Sequence, residues 1–149
     1  MNIVDANVLL YAVNTDSNRH AESREWLDEA LSGGAVVGFA WIVVLAFLRL
    51  ATKPGLFPSP LSNDDALSTV DAWLAQPAAM VVEPTARHLS LLRELVTVVR
   101  ATGNLVNDAH LAALAIEHRG RVVSYDTDFS RFPGVSWSQP NLPPPATSR

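Results

Sequence analysis

Short apolar runs alternate with amphipathic stretches along almost the whole chain, and that alternation leaves few folds open. Residues 2–4, 35–39, 80–82 and 121–125 read as buried strands, with a weaker one at 135–137. Between them, residues 6–13, 20–31, 41–52, 63–74, 86–102 and 107–118 read as helices. In the second of these, Trp26, Leu27, Ala30 and Leu31 make an apolar face against Glu22, Arg24, Glu25, Asp28 and Glu29. The third is apolar nearly all round, which predicts burial on more than one side. Asn63 or Asp64 is expected to cap the fourth helix and Thr85 the fifth. Gly33-Gly34, Gly103 and Gly120 are expected to close helices. Strands separated by helices pair in parallel and carry helices on both faces. The prediction is a three-layer α/β sandwich around a mostly parallel sheet of about five strands. A chain of 149 residues makes one such domain, expected over 1–137. Residues 138–149 hold four prolines and are expected to form an extended, mobile tail.

Composition removes several functional classes. With no cysteine, the chain has no disulfides, zinc-thiolate sites or thiol nucleophiles. A reducing compartment suits it, and a cytoplasmic location is the expectation. The N-terminus has no basic segment before an apolar run and does not read as a secretion signal. The longest apolar stretch, 35–47, is too short to span a bilayer, so no membrane partner is expected. A formal charge of −4 is no footprint for nucleic acid. Binding a polyanion would need a local basic patch, a bound metal, or both.

The acidic positions supply the metal. Asp5 follows the first strand, Asp126 and Asp128 follow the fourth, and Asp108 opens the last helix. In a parallel sheet the strands' C-terminal ends line one crevice, where ligands bind. Carboxylates gathered there repel one another unless a hard cation neutralises them. A Mg²⁺ or Mn²⁺ site is therefore expected, and phosphate chemistry is its usual use. Singly, each aspartate has a plainer role: Asp5 as a cap, Asp108 in a first helical turn, Asp126 and Asp128 in a turn. Their common placement favours the site. Asn7 and Ser124 either fix a water or phosphate there or serve only local turns and caps. Arg49 and Lys53, the only lysine, are candidate phosphate contacts, with Arg19, Arg87, Arg93 and Arg100 behind them. Trp41, Phe47 and Phe57 belong to an apolar concentration that is either core or a partner-binding face. The four histidines show no ligand spacing.

Three segments together resemble a known family. Ile3-Val4-Asp5-Ala6-Asn7-Val8-Leu9-Leu10, Asn107-Asp108-Ala109-His110-Leu111-Ala112-Ala113-Leu114-Ala115 and Val123-Ser124-Tyr125-Asp126-Thr127-Asp128-Phe129 are similar, in order and separation, to the motifs of PIN-domain ribonucleases. Among these the chain looks most like the VapC toxins of toxin–antitoxin pairs. The resemblance implies a PIN-like fold and a metal-dependent endoribonuclease acting on tRNA or ribosomal RNA. It also implies neutralisation by a VapB-type antitoxin, and a homodimer. Asp5 and Asp126 would then bind the metal directly, and Asp108 and Asp128 directly or through water. One position departs from the pattern: the family's glutamate, three residues before an arginine, falls on Ala46. No acid lies between Ala30 and Asn63 to replace it. The alternative is therefore a PIN-like protein that binds RNA or antitoxin without cutting. Phosphatases of the haloacid-dehalogenase type and response-regulator receivers need a lysine late in the chain, and there is none.

Overall fold

The structure is a computed structural model and describes residues 1–140. Its elements are β1 (Asn2–Val4), α1 (Ala6–Val13), α2 (His20–Ser32), β2 (Val37–Ala40), α3 (Trp41–Ala51), α4 (Asn63–Leu74), β3 (Ala79–Val82), α5 (His88–Val99), α6 (Asn104–Glu117), β4 (Arg121–Val123) and β5 (Ser136–Ser138). A short 3₁₀ helix, Thr127–Arg131, follows β4. The strands form one parallel sheet in the order β3-β2-β1-β4-β5. The chain builds outward from β1 on one side and returns to its other side with β4. β1 and β4 therefore flank the point where the winding reverses, and the crevice of an open parallel sheet lies at such a point. Val4 pairs with Val123 there, so the segments after both strands start level with each other.

Burial explains the strands. Ile3, Val4, Val37, Phe39, Val122 and Val123 are almost wholly buried, as expected for a sheet covered on both faces. α6 adds a small-residue face, with Ala109, Ala112, Ala113 and Ala115 buried, which lets it pack close. In α3, Val43, Val44, Phe47 and Ala51 are buried. Phe47 is fully buried and meets Trp73 edge-on at 4.9 Å. It is therefore core and cannot present a partner-binding surface, which corrects that expectation.

Helix ends differ from the sequence expectation in instructive ways. α5 does not run on to Gly103. It stops at Val99, where Arg100 turns left-handed (φ 54°). The Arg100 and Ala101 N–H groups then close onto the Thr97 and Val96 carbonyls, a Schellman-type stop with arginine where glycine is usual. α6 ends the same way, with Arg119 (φ 54°) in the left-handed position. Gly120 is glycine for another reason: a Cβ there would lie 2.8 Å from the Met1 carbonyl oxygen. Thr85 does not cap α5; its hydroxyl accepts from the Arg87 N–H and donates to Glu117. Ser62, not Asn63 or Asp64, caps α4, accepting from the Asp65 N–H at 3.0 Å. β5 takes in Ser138, assigned above to the tail, and pairs it with Val123. The rest of the proline-rich tail, from 141 onward, lies outside the described residues.

Candidate metal centre

The crevice between β1 and β4 is organised around one buried hydroxyl. Ser124 Oγ donates to Asp5 Oδ2 at 2.7 Å. It accepts from Asn7 Nδ2 and from the Asp126 N–H, both at 3.0 Å. Asn7 Oδ1 in turn accepts from the Tyr125 N–H at 3.2 Å. Asp5 Oδ1 accepts from the Ala6 N–H at 2.7 Å, so the carboxylate also caps α1. These bonds tie the segment after β1 to the segment after β4. β5 adds a further tie, with Trp137 Nε1 donating to the Ser124 carbonyl at 3.0 Å.

The remaining acids converge beside this network. Asp126 Oδ1 accepts from the Asp128 N–H at 2.9 Å, which turns the chain into the 3₁₀ helix. α6 starts at Asn104, so Asp108 sits in its second turn rather than the expected first. Its carboxylate is thus not needed at the helix start. One oxygen each from Asp108, Asp126 and Asp128 lie within 4.8 Å of one another. Asp5 is outside that triad but shares a cleft of about 320 Å³ with Asp108 and Asp126. Burial, then the charges of Asp126 and Asp5, push the Asp108 carboxyl up to about 7. Burial also raises Asp5, against the hydrogen bonds from Ser124 and Ala6. Such a group of oxygens, held together against its own repulsion, fits a hard divalent cation.

The same cleft places the other candidates. Ala46 lines it, so a methyl group stands at the position where the resemblance would put a glutamate. Arg49 lines it too, whereas Lys53 is exposed and does not. Asn104 and Asn107 line it without having been foreseen; with Asp108 and Leu111 they fall on one face of α6 at i, i+3, i+4 and i+7, a face that an expected start at 107 cut short of Asn104. Trp41 lies on the outside of α3, 51% exposed. Phe57 is nearly buried and walls a shallow apolar hollow with Leu10, Leu50 and Leu56. Away from the cleft, His88 bridges Glu117 (2.7 Å) and His110 (2.8 Å), a network with no sequence spacing to announce it.

A parallel sheet with carboxylates gathered at its switch point is an α/β sandwich fitted to hold a divalent cation at its strand ends. The chain belongs to the PIN domain family, which matches it over residues 3–135. Its sequence is similar to ribonuclease VapC37 of Mycobacterium tuberculosis, with 61% identity covering 94% of this chain and 97% of that one. Its fold is similar to VapBC2 from Rickettsia felis bound to a DNA fragment from the promoter (TM-score 0.66, 18% identity, 93% and 97% covered). It is also similar to VapC20 of M. tuberculosis, a sarcin-ricin loop cleaving toxin (TM-score 0.64, 19% identity, 87% and 93% covered). The expected PIN-like sandwich is the fold observed, with every strand pair parallel.

Proposed function

We propose that this chain is a metal-dependent endoribonuclease, the toxin of a toxin–antitoxin pair. The observation that carries the reading is the convergence of Asp108, Asp126 and Asp128 within 4.8 Å, next to Asp5 at the switch point. The similarity to ribonuclease VapC37 supports RNA as the substrate, with tRNA and ribosomal RNA the classes to try first. Asp108, Asp126 and Asp128 would hold the ion, Mg²⁺ or Mn²⁺, with Asp5 facing it from the network side. When bound, the ion supplies charge neutralisation at the phosphoryl oxygens and a more acidic water for in-line attack. The protein's own groups do the rest. Ser124 and Asn7 hold Asp5 in one orientation, which keeps the acidic wall preorganised. Arg49 lines the cleft wall and would meet a phosphate of the bound strand.

The likeness to VapBC complexes supports a VapB-type antitoxin as partner; a cytoplasmic location and a homodimer as the working unit belong to the same proposal. Trp41 and Leu45, exposed one turn apart on α3, are the apolar positions offered to such contacts. No helix among the described residues is long and apolar enough to cross a membrane. Ala46 in the cleft favours a second reading, a protein that binds RNA or antitoxin without cutting.

Cleavage of tRNA and ribosomal RNA by the purified chain separates the two. Activity with Mg²⁺ or Mn²⁺, abolished by EDTA and lowered at least a hundredfold in Asp126→Ala, is the expected result. Intact RNA with either ion, or cleavage indifferent to Asp126→Ala, would leave the non-cutting reading.

A further inference from the structure

One residue along the chain from Asp126, three side chains form a cluster that the metal chemistry does not use. Arg19, exposed at the start of α2, holds its guanidinium 4.3 Å from the centre of the Tyr125 ring and 5.9 Å from that of Tyr11. The two rings meet edge to face at 5.4 Å. Tyr125 is fixed from several sides: its hydroxyl bonds the buried Ser23 hydroxyl at 2.7 Å, and its N–H donates to Asn7. Among the described residues no carboxylate comes within 4.0 Å of the Arg19 guanidinium. A planar cation thus sits over a rigid aromatic ring, on a residue exposed to solvent.

Its location gives the stack a use. Tyr125 is the chain neighbour of Asp126, and Tyr11 lies on α1 one turn, about 5.4 Å, beyond Asn7. A strand whose phosphate lay on the acidic cluster would bring an adjoining nucleotide to this point. Nucleobases stack on guanidinium planes and on aromatic rings, and single strands are held largely that way. The mode suits a chain of net charge −4, which has few cations to spare for phosphates.

We propose that Arg19, backed by Tyr125 and Tyr11, is a nucleobase-stacking subsite for an RNA strand that crosses the metal centre. The proposal rests on the ribonuclease reading for its substrate, but its test does not depend on cutting. Binding of a twelve-nucleotide single-stranded RNA and of the abasic ribose-phosphate strand of equal length is measured with EDTA present, so neither is cleaved. The wild type is expected to bind the RNA roughly tenfold more tightly than the abasic strand, the worth of one stacked base. Arg19→Ala and Arg19→Lys should both lose most of that preference, because lysine keeps the charge but not the plane. Tyr125→Phe, which keeps the ring and gives up only the bond to Ser23, should retain it. A purely structural clasp would shift melting temperatures and leave the preference untouched. No preference in the wild type, or full preference in Arg19→Lys, overturns the subsite. Failure of the metal-dependent cleavage assay with the preference intact would instead sink the nuclease reading alone.

Discussion

Asp108 is the residue where electrostatics are most exposed to test. Its carboxyl is raised to about 7 by burial and by the neighbouring carboxylates. A carboxyl whose folded pKa lies above its unfolded value binds more protons when folded, so stability falls as pH rises between the two. Metal-free protein should therefore melt at a higher temperature at pH 6 than at pH 8, as followed by circular dichroism. Divalent ion competes with the same proton, so Mn²⁺ affinity should weaken as pH drops from 8 to 6. A metal-free melting temperature that rises with pH would mean Asp108 is not strained by its neighbours. Ala46 gives the companion prediction. A carboxylate added there, Ala46→Glu, joins Asp5, Asp108 and Asp126 on one cleft wall. It should lower the melting temperature without metal and tighten Mn²⁺ binding by about tenfold in calorimetry, since one more anionic oxygen faces the ion.

At the scale of elements, helix stops are where the chain departs from simple rules. Arg100 adopts the left-handed conformation that costs a non-glycine residue about 1–2 kcal/mol. Arg100→Gly keeps the Schellman bonds and removes that cost, less about 0.5–1 kcal/mol of extra chain entropy in the unfolded state. A gain of up to about 1.5 kcal/mol is expected, read as a higher urea midpoint with unchanged slope. A loss of stability would mean the arginine side chain does work there that its backbone hides. The same stops explain why sequence placed α6 late. Gly103 looked like the end of α5, but its positive φ (58°) serves the entry to α6 instead. That shift moves Asp108 from a helix-start role into the cleft. The element cores were legible because apolar periodicity reports burial directly; their ends were not, because arginine in a left-handed stop has no sequence signature.

For the whole molecule, the alternation of strands and helices was enough to give a parallel sandwich, and the aspartates' positions after β1 and β4 were enough to expect a shared site. Strand order was not readable, since nothing in the residues states which strand neighbours β1. Yet that order makes the site, by setting β1 beside β4 where the winding reverses. Phe47 shows the matching failure: an aromatic on an apolar helix has the same pattern whether it faces core or partner, and here Trp73 covers it. Ser124 shows the opposite case. Its two alternative roles were left open by sequence, and the fold makes it the hub joining Asp5, Asn7 and Asp126. Carboxylates from two distant segments, Asp108 on α6 and the Asp126–Asp128 pair after β4, share one divalent ion in this account. Mn²⁺ titration by calorimetry, comparing wild type with Asp108→Ala and Asp126→Ala, tests it most directly. Saturable binding in the wild type, weakened at least tenfold in each variant, is the predicted result; equal affinity in all three proteins would contradict it.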